Sequence, residues 1–424
     1  MTYQMIFGVL RCATFIAIAL LGSFAHADNW AHWRGPDGNA VAPDADPPIR
    51  FNDSTNLKWK VPIEGRGAGS PVVWDDSVFV VSAVGLSGGD LAKHDFVLLC
   101  IDRETGRERW RRVATEAAPH EGTHRTNGFA SASPVTDGEH VYASFGSRGL
   151  YCYTMDGILV WKRTDFPPMT TRNGFGEGSS PVLAEDRIIL PWDHEGQSKL
   201  YAIEKASGAT IWEVDRDEPT NWGTPLIVDF RGRAEVITTG ENYARGYDLD
   251  SGAELWRCAG QTQRPAASPV HRDGVVYIAS GHRGAFLGAF RVGGRGDIQG
   301  TTNVLWTIQR NTPDIASPLL SEDRLYFYKG KSGVLTCVDA QTGTPHYNAQ
   351  RVRGLDNIYA SPVAAGGHVY LCDRDGTVVV IKDSEQFEIV ATNELGETID
   401  ATPAPVDNQL IIRGEKHLFN FSGS

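Results

Sequence analysis

The sequence predicts an all-β chain folded as one eight-bladed β-propeller with four-stranded antiparallel blades. Three observations carry the prediction. A Ser/Thr-Pro-apolar phrase returns eight times, short runs of alternating apolar residues lie between the phrases, and the first four units close on a Gly followed four residues later by Trp. Alternation with a period of two, bounded by Gly and Asp, marks β-hairpins and not helices.

The phrase stands at Ser70-Pro71-Val72, Ser133-Pro134-Val135, Ser180-Pro181-Val182, Thr224-Pro225-Leu226, Ser268-Pro269-Val270, Ser317-Pro318-Leu319, Ser361-Pro362-Val363 and Thr402-Pro403-Ala404. Most separations lie in the forties of residues, the period of a four-stranded blade. Unit six shows the hairpins well: Ser321-Glu322-Asp323, then Leu325-Tyr326-Phe327-Tyr328, Gly330, and Val334 to Asp339. The Gly-to-Trp step appears at Gly106/Trp110, Gly157/Trp161, Gly208/Trp212 and Gly252/Trp256. Unit five keeps Trp306 after an insertion, unit six puts Tyr347 after Gly343, and unit seven has lost both residues. A Gly takes the positive-φ turn position while a large flat ring covers the neighbouring sheet, so Trp59, Trp110, Trp161, Trp212, Trp256, Trp306 and Tyr347 are expected to dock adjacent blades.

Unit eight ends at Leu418-Phe419-Asn420-Phe421, without room for a Trp strand, and Leu57-Lys58-Trp59-Lys60-Val61 precedes the first Ser-Pro with no blade of its own. Pairing the N-terminal strand into the C-terminal blade closes the ring and removes its exposed edges. The organisation is therefore a signal peptide at 1–27, an N-terminal arm at 28–56 and one propeller at 57–424. The signal reads as apolar Met5 to Leu10, Arg11, an apolar stretch from Ala13 to Phe24, and Ala25-His26-Ala27 for cleavage. Export to the periplasm or cell envelope is expected, with no transmembrane segment in the mature chain; the alternative is an uncleaved anchor, because Arg11 is the sole early positive charge and the apolar residues on its two sides together approach membrane-spanning length.

Composition narrows the function classes. The 424 residues carry a formal charge of −12 and no long basic run, which argues against nucleic acid as a partner. Beyond Cys12, the cysteines Cys100, Cys152, Cys258, Cys337 and Cys372 form no CxxC or adjacent pair. Three of them occupy one repeat slot, two before the turn Asp, that takes only small or medium side chains, which makes them packing residues. His120-Glu121-Gly122-Thr123-His124 fits the zinc-protease pattern by letter, but that chemistry needs a helix placing both imidazoles on one face. Pro119, Gly122 and Gly128 predict a loop instead. Gly293 to Asp297 precedes no helix and reads as the turn of an enlarged hairpin, and Ser82 to Asp95 reads as a long rim loop.

The repeat, as in Cys100-Ile101-Asp102-Arg103-Glu104-Thr105-Gly106-Arg107-Glu108-Arg109-Trp110, resembles the docking motif of pyrroloquinoline quinone (PQQ)-like eight-bladed propellers. The opening Asn29 to Gly38 is similar to the arm of exported propellers of this type in planctomycete-like bacteria. The resemblance runs from about Leu57 to the C-terminus, and it implies two function classes: quinoprotein alcohol dehydrogenases and non-catalytic, BamB-like outer-membrane assembly propellers. Those dehydrogenases hold the quinone against an adjacent-Cys disulfide and a Trp, with Ca²⁺ on acidic and amide oxygens. No adjacent Cys pair occurs here.

The loops that enter the innermost strands converge on an axial funnel, the natural binding surface. They carry Arg66, Arg125, Asn127, Arg172, Asn173, Glu177, Asn221, Trp222, Arg264, Asp314, Asn357, Tyr359 and Asp400. The expectation is a binding or assembly scaffold for an envelope protein or a small ligand, with no catalytic residue and no cofactor. The alternative is a PQQ-dependent oxidoreductase acting on alcohols or sugars, with Trp222 as a stacking plane and Glu177, Asn221 and Asp314 as Ca²⁺ oxygens.

Overall fold

The structure is a computed structural model that describes residues 29–86 and 92–423. The signal peptide expected at 1–27 lies outside the described residues, as does the tip of the expected Ser82 to Asp95 loop, whose ends Ser82 to Gly85 and His94 to Asp95 are strand and not loop. Eight antiparallel sheets follow one another around an axis. Blade one runs Val72–Trp74, Ser77–Gly85, His94–Asp102 and Glu108–Ala117 from the axis outward. Each later blade repeats that order. Leu57–Pro62 supplies the outermost strand of blade eight, antiparallel to His417–Ser422, with Lys60 opposite Phe419. The two sequence remnants thus complete one blade and close the ring.

The repeated aromatic residues dock blades through one contact. Gly106 has φ 72°, and a Cβ there would lie 2.8 Å from the Trp59 ring, so only Gly lets the ring close over the turn. The Trp59 indole also donates to the Arg103 carbonyl at 2.8 Å. Trp110, Trp161, Trp212 and Trp306 repeat this bond onto Met155, Lys205, Leu249 and Ala340 of the next blade. Tyr347 instead meets Phe387 edge-on, with ring centroids 5.6 Å apart.

Trp256 departs from the expected docking role. Its indole donates to Glu235 at 2.8 Å and its ring fills the space over Gly246 of its own blade. The cause is the blade-five insertion: Gly296–Asp297 adds a parallel fifth strand to blade four beside Trp256 and Arg257. The Gly293 to Asp297 segment is therefore an inter-blade clasp, more than a hairpin turn.

At the axis, the Ser/Thr of each Ser/Thr-Pro phrase does a job the sequence did not disclose. The backbone N–H of Ser70 donates to the Ser133 hydroxyl at 2.9 Å, Ser133 to Ser180 at 2.9 Å and Ser180 to Thr224 at 3.1 Å. The series continues through Ser268, Ser317, Ser361 and Thr402, and Thr402 returns to Ser70 at 2.9 Å. Eight blades are thus joined by a closed ring of eight hydrogen bonds, each satisfying a buried backbone donor.

The arm crosses the face that carries the turn after each innermost strand. Trp30 bridges Val73 of blade one, Ala31 accepts from Thr136 of blade two at 3.1 Å, and Asn39 exchanges two bonds with His271 of blade five. Val41–Ala42 then pairs in parallel with Val363–Ala365 of blade seven. Trp33 lines the axial channel together with the Ser/Thr ring. The channel is therefore stopped at this face by the arm. Arg34, 1% exposed, is held by carbonyls of Gly38, Asn39 and Pro318.

The five cysteines of the described residues are buried and free. Burial pushes Cys100 and Cys258 up to about 11 and Cys152 and Cys337 up to about 12, so they stay protonated. Among the described residues no helix is long and apolar enough to cross a membrane.

Candidate functional site

The face opposite the arm opens as a funnel of about 850 Å³, including the solvent at its mouth. Asn127, Trp222, Arg264, Asp314, Tyr359 and Asp400, all singled out from the sequence, line it, together with His124, Phe175, Ile315 and Lys331. The lower wall is apolar and leads to the Ser/Thr ring.

Positive charge gathers at the mouth. Lys331 Nζ lies 5.2 Å from the Tyr359 ring centre and the Arg374 guanidinium 4.7 Å from it, while Arg264 sits 5.9 Å from that of Phe175. Such cation–π contacts hold long side chains in place. Phe175 in turn stacks on Trp222 at 6.5 Å, and the Trp222 indole is fixed by a 2.7 Å bond to the Gly176 carbonyl. Both funnel carboxylates are engaged by cations. Asp314 lies 3.4 Å from Arg264 and 3.9 Å from Lys331, and Asp400 accepts from Arg374 at 2.9 Å. Burial raises the Asp400 carboxyl above its ordinary range, against the pull of Arg374. Burial, followed by the fields of Lys331, Arg125, Arg264 and Arg374, lowers the His124 imidazole, which is therefore neutral at pH 7.

The remaining sequence candidates separate. Arg66 lines a niche beside the funnel and donates to the Arg125 carbonyl at 3.3 Å. Arg172 pairs with Glu195 at 3.1 Å. Asn173 takes a left-handed φ of 58° in a short turn, and Asn357 donates its N–H to Asp373 at 2.7 Å. Glu177 and Asn221 line a side cavity. There the Ser147 N–H donates to Glu177 at 2.7 Å, and Asn221 is tied to Asp193 and Thr239.

The proposed Ca²⁺ trio is thus not a site. Asp314 stands in the funnel among Arg264, His282 and Lys331, where a cation would be repelled, while Glu177 and Asn221 serve another cavity. Ca²⁺ needs six or more converging oxygens. No cluster of His, Cys, Asp or Glu suited to a metal exists among the described residues. With every described cysteine buried and unpaired, the donor set does not fit a calcium–quinone pair held as in the dehydrogenases.

The His120 to His124 segment forms no helix. His120 contacts the Met169 carbonyl, Glu121 accepts from the Thr171 hydroxyl at 2.6 Å, and His124 faces Thr126 and Phe175. The two imidazoles have separate partners.

Lys331 and Arg374 escaped the sequence reading because they lie between the second and third strands of blades six and seven. Those loops reach the axis as well. A Lys or Arg at corresponding places in two units was the available signal.

Fold and site define a PQQ-like repeat propeller with one funnel open to solvent and the opposite face sealed. Residues 49–164 and 94–344 match the profile of a family described as outer membrane protein assembly factor BamB, and the chain belongs to that family. No curated protein matches the sequence. Among solved structures, BamB from Moraxella catarrhalis is similar at 15% identity and a TM-score of 0.59, covering 87% of this chain and 97% of its own. Quinohemoprotein alcohol dehydrogenase from Comamonas testosteroni is similar at 10% identity and a TM-score of 0.64, covering 93% and 80%. The computationally designed Ika8 protein is similar at 9% identity and a TM-score of 0.58, covering 88% and 99%. At these identities the likenesses speak for the fold alone.

Proposed function

We propose that this chain is an exported binding scaffold of the cell envelope, which receives part of a partner protein in its axial funnel and carries out no catalysis of its own. One observation carries the reading: Asp314 and Asp400 are occupied by cations, so the funnel presents aromatic faces and surplus positive charge without a free carboxylate base. Membership of a family described as an outer membrane assembly factor supports the envelope setting. The second reading is a quinone-dependent oxidoreductase, favoured by the fixed Trp222 plane. Capture from an envelope fraction with the full chain and with a Lys331→Glu/Arg374→Glu variant tests the first. The scaffold retains a partner saturably and the variant loses it. Binding of PQQ with Ca²⁺ and alcohol oxidation by an artificial acceptor, lost in Trp222→Ala, would replace it with the second.

A further inference from the structure

Beside the funnel, where blades seven, eight and one meet, lies a niche of about 430 Å³ lined by Arg66, Arg374 and Arg413, with Asp400 and Glu415. It shares Ala68, Thr126, Asn127 and Asp400 with the funnel wall, so the two spaces adjoin. Arg413 is the buried one of the three arginines. It is 2% exposed, donates to the carbonyls of Gly69 and Val81, and leaves its Nε–H without a partner. Its guanidinium rests against Gly67, where a Cβ would come within 2.8 Å of Nη2. A buried cation held only by carbonyl dipoles is costly; Arg34 bears that cost within the arm face, whereas Arg413 lines a space that an anion can enter.

We propose that this niche binds one carboxylate of an acidic, extended peptide segment of the partner protein, whose neighbouring apolar side chains lie in the funnel. The proposal rests on the scaffold reading. Three guanidiniums face two carboxylates in the niche, a surplus of one positive charge. That surplus matches a monoanionic carboxylate and falls short of a phosphate dianion. Guanidinium forks also fit carboxylate oxygens in pairs. Arg374 is already oriented by Asp400 at 2.9 Å and by the Tyr359 face, and Arg66 is exposed at the rim, where its bond to the Arg125 carbonyl leaves other N–H groups for the incoming group. Phe175, Trp222, Ile315 and Tyr359 line the adjoining funnel and supply apolar surface for the residues that follow along an extended chain.

The test uses the full chain and three fluorescent peptides built on Phe-Leu: one with an internal Glu and an amidated end, one with Gln and a free C-terminal carboxylate, and one with Gln and an amidated end. At least one carboxylate peptide should bind about tenfold more tightly than the uncharged one, the loss expected when charge-assisted bonds are removed. The preferred member of the pair distinguishes a side-chain source from a terminal one. Binding should weaken with salt, and acetate should compete better than inorganic phosphate. Arg66→Ala, at an exposed position that leaves the fold intact, should reduce the preference severalfold without moving the melting temperature; Arg413→Met should abolish it. Equal affinity for all three peptides, no saturable binding at millimolar peptide, or stronger competition by phosphate would overturn the proposal. If a partner is still captured through the funnel in any of those cases, the niche fails and the scaffold reading stands. Carboxylate binding with no protein captured sinks the scaffold reading alone.

Discussion

The two faces of the ring solve opposite problems with different chemistry. The arm face is sealed by backbone pairing, with Val41–Ala42 laid along blade seven and Trp33 closing the channel. Even its buried Arg34 is spent on carbonyl oxygens. The funnel face is built from long charged side chains over aromatic rings, still reachable by solvent. What differs is how each face is built. On the arm face backbone pairing ties the arm to the blades, and at the funnel mouth positive charge exceeds the carboxylates that answer it. A single-entrance pocket follows from that asymmetry, and binding belongs to one face.

The largest expected effect comes from removing the seal. Deleting residues 28–61 takes away both the arm and the outermost strand of blade eight, and the account expects no cooperative unfolding transition and aggregation in calorimetry and size-exclusion chromatography. Unchanged monomeric melting would break the comparison at once.

Next comes the side cavity, where Asp193 in its lining and Arg216, 1% and 0% exposed, form a paired contact at 2.7 and 3.0 Å. Asp193→Asn leaves the guanidinium uncompensated and should cost about 3–5 kcal/mol in chemical denaturation. Ser317→Ala, at the axis common to both faces, strands the Ser268 N–H and should cost about 1–2 kcal/mol.

Acid sharpens the contrast further. Burial, with Arg34 nearby, depresses the His32 imidazole on the arm face to about 3. The unfolded chain binds that proton near 6.5, so stability is full above 6.5 and falls as pH drops towards 3. The slope is up to about 1.3 kcal/mol per pH unit, and His32→Gln should flatten it. The smallest effect belongs to the mouth: Lys331→Ala should change stability by less than about 0.5 kcal/mol, which makes it a clean variant for binding.

Architecture was readable because it repeats. Eight Ser/Thr-Pro phrases and the Gly-to-Trp step stated the blades, and the unmatched strands at Leu57 and Leu418 stated how the ring closes. Trp256 was misread because an insertion some forty residues later replaced its partner, a long-range event no local spacing records. The Ser/Thr hydroxyl ring was visible as letters but not as bonds, since each hydroxyl serves a different blade. At the site, Asn127, Trp222, Asp314, Tyr359 and Asp400, named from topology alone, line the funnel. Glu177 and Asn221 come from the same loops yet point into a side cavity, because the side-chain direction within a loop is set by tertiary partners such as Ser147 and Asp193. The arm's course across the ring was equally hidden, since it has no repeat and its partners lie on blades one, two, five and seven.

The central claim is that binding belongs to the funnel face. A photo-reactive amino acid replacing Tyr359 at the mouth, or Asp37 on the exposed surface of the arm, in the producing cell tests it directly. The account predicts a discrete protein adduct from position 359, lost in Lys331→Glu/Arg374→Glu, and none from position 37. An adduct from position 37 with none from 359 would contradict it.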